Sequence, residues 1–66
     1  MTEYSNSEID HLINEWIHNE RDRKILHRRL IDGTRFEPLA EEFDMSVSQI
    51  KRIVNDGSRI VFLKLK

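Results

Sequence analysis

Apolar positions recur along this chain in four stripes, each with helical spacing. Ile9, Leu12, Ile13, Trp16 and Ile17 fall at i, i+3, i+4, i+7 and i+8, one side of an amphipathic helix. Ser5 followed by Glu8 is a capping-box pattern just ahead of that stripe, so the first helix is expected to run from Asn6 or Ser7 to His18. Ile25, Leu26 and Leu30 make a second stripe, opened by Asn19 with Asp22 and stopped by Gly33, which predicts a helix over about residues 20–32. A third stripe, Phe36, Leu39, Ala40 and Phe43, predicts a helix over 36–43. Pro38 fixes its start, because proline is tolerated only in a first turn, where its missing N–H is an orphan anyway.

Ser46 followed by Gln49 is a second capping-box pattern, opening a helix at Val47 whose stripe is Val47, Ile50, Ile53 and Val54. Its far end is contested. Asn55, Asp56, Gly57 and Ser58 form a turn signal and the residues after them are rich in strand formers, so a hairpin of 50–54 against 59–64 competes with continued helix. Val54, Gly57, Val61 and Leu65 keep the helical spacing. A helix over 47–56 or longer is therefore preferred, at a cost of about 1 kcal/mol for the glycine. Phe62 and Leu63 lie off the stripe in either case and suggest a contact with a partner.

The expected fold is all-α: one domain, a small three- to four-helix bundle containing a helix-turn-helix. Its expected core is Ile9, Leu12, Ile13, Trp16, Ile17, Leu26, Leu30, Leu39, Ala40, Phe43, Val47, Ile50 and Val54. A chain of 66 residues buries only about 60% of its unfolded surface. Cysteine is absent, so helix packing carries the stability without disulfides, as suits a reducing compartment. The longest apolar run, Ile60 to Leu63, is far short of the roughly 20 residues a membrane span needs, and the start lacks a basic-then-apolar leader pattern. A soluble, cytoplasmic protein with no membrane partner is expected.

The net charge of −1 conceals a segregation of sign. Residues 1–20 carry five acidic and no basic side chains, whereas residues 21–66 carry eleven basic and seven acidic ones and are +4. That asymmetry bears on partners rather than fold. On the second helix Arg21, Lys24 and Arg28 share the face opposite the apolar residues and point to solvent or to a polyanion. On the fourth, Ser48, Arg52, Asn55 and, if the helix continues, Arg59 lie opposite the stripe, flanked by Gln49 and Lys51. A helix fits the major groove of duplex DNA, where Arg can bind guanine and Gln or Asn can bind adenine, each through two hydrogen bonds. Any exposed amphipathic helix carries polar residues on such a face, so the pattern gains its meaning from the short helix and three- or four-residue turn before it.

Enzymatic chemistry finds little support. His11, Glu15 and His18 contain one E-x-x-H spacing, but helix-borne carboxylate–histidine metal sites draw on several such helices, and no second copy, cysteine ligand or glycine-rich phosphate loop accompanies it. These residues are read as solvated surface, His27 as an exposed residue of the second helix, and the chain as a non-enzyme without cofactor or metal.

The stretch ERDRKILHRRLIDGTRFEPLAEEFDMSVSQIKRIV, Glu20 to Val54, resembles region four of bacterial sigma-70 family factors, above all small sigma-like proteins of phages and mobile elements in low-GC Gram-positive bacteria. The resemblance implies a helix-turn-helix that reads promoter DNA in transcription regulation and docks on RNA polymerase. By position it makes Leu39, Ala40 and Phe43 the packing face of the positioning helix and Ser46 the cap of the recognition helix. It turns Ser48, Gln49, Lys51, Arg52 and Asn55 toward the groove and sets Arg28 and Arg35 near phosphates. Arg35 stands where the family has a capping Ser or Thr, and Asp44 where it has a turn glycine. Asn55 to Ser58 interrupt what is otherwise one long terminal helix. The competing reading, favoured by the modest charge, is a protein-binding module or inhibitor. It would dock on RNA polymerase or another nucleic-acid-processing complex through Phe62, Leu63 and the acidic first helix.

Overall fold

Ser5 begins the first helix as expected: its Oγ accepts from the Glu8 backbone N–H at 3.2 Å and its hydroxyl donates to the Glu8 carboxylate at 3.3 Å. The computed structural model describes residues 5–65, which form four α-helices, with no strand among them. Helix α1 spans Asn6–Trp16 and α2 spans Glu20–Leu26. A π-helical turn, His27–Ile31, continues α2 directly, and α3 (Phe36–Phe43) and α4 (Val47–Lys64) follow.

α1 stops at Trp16, two residues short of the expected His18, because Ile17 turns extended to bury its side chain and Asn19 must be extended to cap α2. The Asn19 side chain accepts from the Asp22 N–H at 3.1 Å. The expected uninterrupted helix over 20–32 changes to the wider π geometry after Leu26, with the Asp32 N–H bonded back to the His27 carbonyl at 3.2 Å. The residue a π turn adds changes which way the side chains after it point. It lets Leu30 pack with α1 and α4 while Arg29 turns toward α3. His27 is half-buried rather than exposed, with Nδ1 3.1 Å from Asp10 Oδ1 and Nε2 3.3 Å from Asn14 Oδ1, so it ties this turn to α1. Gly33, at φ +75°, closes the segment.

α4 is one helix to Lys64, which excludes the hairpin and explains its mid-helix glycine. A β carbon on Gly57 would fall inside the van der Waals reach of the Leu26 δ carbons, so glycine here lets the Leu26 side chain of α2 lie directly against α4.

The core divides between two clusters joined by α2 and α4. Ile25 packs with Leu39, Ala40, Ile50 and Val54, whereas the adjacent Leu26 packs with Ile13, Ile17 and Val61. Of the expected core, Ile9, Leu12, Leu30, Phe43 and Val47 are half-buried at its margins. Trp16 is a correction: it is 40% exposed, at the last position of α1, with Lys64 Nζ 4.1 Å above its ring. An indole is too large for a margin this thin, and the cation–π contact covers one face instead. Ile25 and Val61, both fully buried, belong to the core and were absent from the expected set.

Candidate nucleic-acid interface

α3 and α4 are joined by three residues. Asp44 takes the left-handed conformation (φ 53°, ψ 50°) the turn requires, and the Met45 N–H returns to the Ala40 carbonyl at 2.9 Å. Asp is one of the few residues that adopt this conformation readily, which is why it can stand in for a glycine. Ser46 then caps α4 reciprocally: its Oγ accepts from the Gln49 N–H at 3.1 Å, and Gln49 Oε1 accepts from the Ser46 N–H at 3.0 Å. With Leu39, Ala40, Ile50 and Val54 packed between them, α3 and α4 present the first turns of α4 outward.

On that face Ser48, Lys51, Arg52 and Asn55 are exposed, as expected. Ser46 and Gln49 are exposed too, but their polar atoms are engaged in the capping box. Reading adenine takes an amide oxygen that accepts and an amide nitrogen that donates at once. The Gln49 oxygen already accepts from the Ser46 N–H, which holds the amide against the helix start and restricts how it can turn toward a base edge. Arg52 sits where the outward face meets a cleft between α4 and the α1–α2 junction.

The two phosphate candidates differ. Arg35 precedes α3 in extended conformation with no side-chain cap on the helix, and its own side chain is exposed. Arg28 is tied down: Nη2 and Nε donate to Glu42 Oε2 at 2.9 and 3.1 Å, and Nη1 lies 3.7 Å from Asp32 Oδ2. It holds the π turn to α3. Arg21 and Lys24, on the same helix, pair with Asp22 and Glu20.

Sequence reasoning passed over Arg29 and Phe36 as site residues. The Arg29 guanidinium lies 4.4 Å from the Phe36 ring centroid while Nη1 donates to the Thr34 carbonyl at 3.2 Å, and Lys51 Nζ lies 5.6 Å from the same centroid. The helical wheel concealed this grouping because the π turn departs from the regular period on which a wheel is drawn. None of the ion pairs among the described residues engages Arg29, Arg35, Lys51 or Arg52. Arg29 and Lys51 thus form a cationic surface over Phe36 at the N-terminal end of α3, next in the chain to the exposed Arg35, without carboxylate partners among the described residues.

Phe62 and Leu63 are 47% and 59% exposed on the last turns of α4. At 1.5 Å per residue, Leu63 is about 22 Å along the helix from Ser48, so the two candidate surfaces occupy opposite ends of one rod. Toward other chemistry, His11 Nε2 is spent on Glu15 Oε2 at 2.8 Å. Among the described residues no group of three or more His, Cys, Asp or Glu side chains is placed to hold a metal ion, and no helix is long and apolar enough to cross a membrane. No family model, curated protein or solved structure matches the chain.

Proposed function

We propose that this protein is a duplex-DNA-binding helix-turn-helix module of the sigma region-four kind, without enzymatic activity, acting in transcription regulation. The observation that carries the reading is the grouping of uncompensated Arg29, Arg35 and Lys51 beside the exposed Ser48, Arg52 and Asn55. Arg21, Lys24 and Arg28 of the second helix are matched to carboxylates, whereas this surface gathers several basic side chains that no ion pair among the described residues engages. In this reading α4 enters the major groove by its N-terminal turns. Arg52 binds a guanine edge, Asn55 and Ser48 supply further polar contacts, and Arg29, Arg35 and Lys51 lie along phosphates. Gln49 serves first as a cap, its side chain held toward the Ser46 backbone. Arg28 positions α3 rather than touching DNA.

Binding to mixed-sequence duplex DNA, followed by gel shift over a salt series, tests this. Each phosphate neutralised contributes about 0.9 to the slope of log affinity against log salt, so three phosphate contacts give a slope near −2.7. Absence of binding at low salt, or affinity that does not change with salt, refutes the reading. The alternative, a module that docks on RNA polymerase or another nucleic-acid-processing complex, rests on the exposure of Phe62 and Leu63. It is the reading that a flat salt response would favour.

A further inference from the structure

α4 carries a second stripe beside the one that fills the core. Ile53, Asp56, Ile60 and Leu63 succeed one another at intervals of three, four and three residues, the spacing of a coiled-coil seam. Only its first member reaches the core margin. Ile60 is 38% and Leu63 59% exposed, and Trp16, at 40%, adjoins Ile60 in the same cleft. Three of the four large exposed hydrophobic side chains among the described residues therefore gather on one side of one helix end.

We infer that this seam pairs with the same seam of a second copy, α4 against α4 in antiparallel orientation about a two-fold axis near Ile60 and Leu63. Two features select a second copy. The first is shape: the cleft, about 330 Å³ and lined by Trp16, Ile17, Ile53 and Ile60, lies one turn from the projecting Leu63. Socket and knob on the same face make a surface that complements itself under a two-fold rotation, as an isologous dimer requires. The second is charge. Asp56 is the acid of the seam, and residues 57–66 contain three basic and no acidic side chains. Antiparallel pairing brings Asp56 of each copy toward the Lys64 end of the other, whereas parallel pairing sets like charge against like. The seam begins beside the DNA-reading face, since Arg52 borders the cleft and Ile53 and Asp56 directly follow Arg52 and Asn55. Its two-fold centre near Ile60 and Leu63 lies further along the helix, and association is read without DNA.

Sedimentation equilibrium of the full chain from micromolar to millimolar concentration tests it, with Trp16, the sole tryptophan, as a second readout. The expected result is a rise from one to two chain masses, accompanied by a blue shift of Trp16 emission. Leu63→Glu, a change at an exposed position that leaves the circular dichroism helical, is expected to abolish both. Asp56→Lys weakens association, and combining it with Lys64→Asp restores it. A single-chain mass throughout overturns the inference, as does association that Leu63→Glu leaves intact. Failure of the charge exchange to restore pairing overturns the antiparallel arrangement. A single-chain protein that captures a different partner by the same face counts against it equally.

Discussion

The Leu26 side chain rests directly on the α carbon of Gly57, in the space a β carbon would occupy. On an exposed helix, replacing glycine with alanine stabilises by about 1 kcal/mol. Here the sign reverses. Leu26 is fully buried, so its δ carbons must be displaced from their packing to admit the methyl, and overpacking of this kind costs about 1–3 kcal/mol. Gly57→Ala is expected to lower stability by about 1 kcal/mol net, a fall of about 4–8 °C in Tm for a domain of this size. Thermal melts by circular dichroism read it, and an increase in Tm would mean that α2 and α4 are not in contact at this point.

Adjacent arginines are expected to behave differently. Arg28 is bound to Glu42 across the π turn, so Arg28→Ala costs the about 0–1 kcal/mol typical of exposed ion pairs and leaves DNA affinity near that of the parent. Arg29, stacked on Phe36 without a carboxylate, has its charge available. Arg29→Ala is expected to weaken binding to all sequences alike and to reduce the salt slope by about 1. Salt-dependent anisotropy titrations of both variants decide the matter, and equal losses would contradict the assignment.

Arg35 occupies the position before α3 where a Ser would accept a backbone N–H. Arg35→Ser is expected to raise stability by about 1 kcal/mol through the new cap while weakening DNA binding. Opposite movement of the two quantities is the signature of a residue retained for a ligand. A variant that gains stability and binds DNA as the parent does would remove Arg35 from the interface.

Ser46 and Gln49 each satisfy the other's backbone N–H. Ser46→Ala is expected to destabilise α4 by about 1 kcal/mol. Gln49→Ala removes the reciprocal bond and is expected to affect stability more than base preference. A selection experiment in which Gln49→Ala relaxes one base position without loss of Tm would assign it to reading instead.

Much of the fold was legible because its signals are local. Asn19, Ser5 and Ser46 mark helix starts by a single side-chain hydrogen bond, and Asp44 and Gly33 mark left-handed stops, all within a few residues of the feature they control. At Asn55 to Ser58 a local turn signal competed with the helical spacing of Val54, Gly57, Val61 and Leu65, and the expected continuation of the helix holds. The turn propensity is overridden by the contact of Gly57 with Leu26, thirty-one residues earlier in the chain. The π turn has no counterpart in the apolar periodicity, so its consequence, the exchange of roles between Arg28 and Arg29, was hidden with it. Trp16 was misjudged because the stripe specifies which side of α1 it lies on, not that the bundle narrows there. The exposed positions of α4 were legible, but the commitment of the Gln49 oxygen to a cap required coordinates.

The claim that α4 reads DNA is tested most directly by binding-site selection from a random duplex library with the parent and with Arg52→Ala, once circular dichroism confirms that both are helical. The parent is expected to enrich one motif. Loss of a two-bond guanine contact should cost about 1–3 kcal/mol at a single position, so Arg52→Ala is expected to return the same motif with that one base relaxed. Enrichment of no motif by the parent, or an unchanged motif with Arg52→Ala, would contradict the reading role of α4.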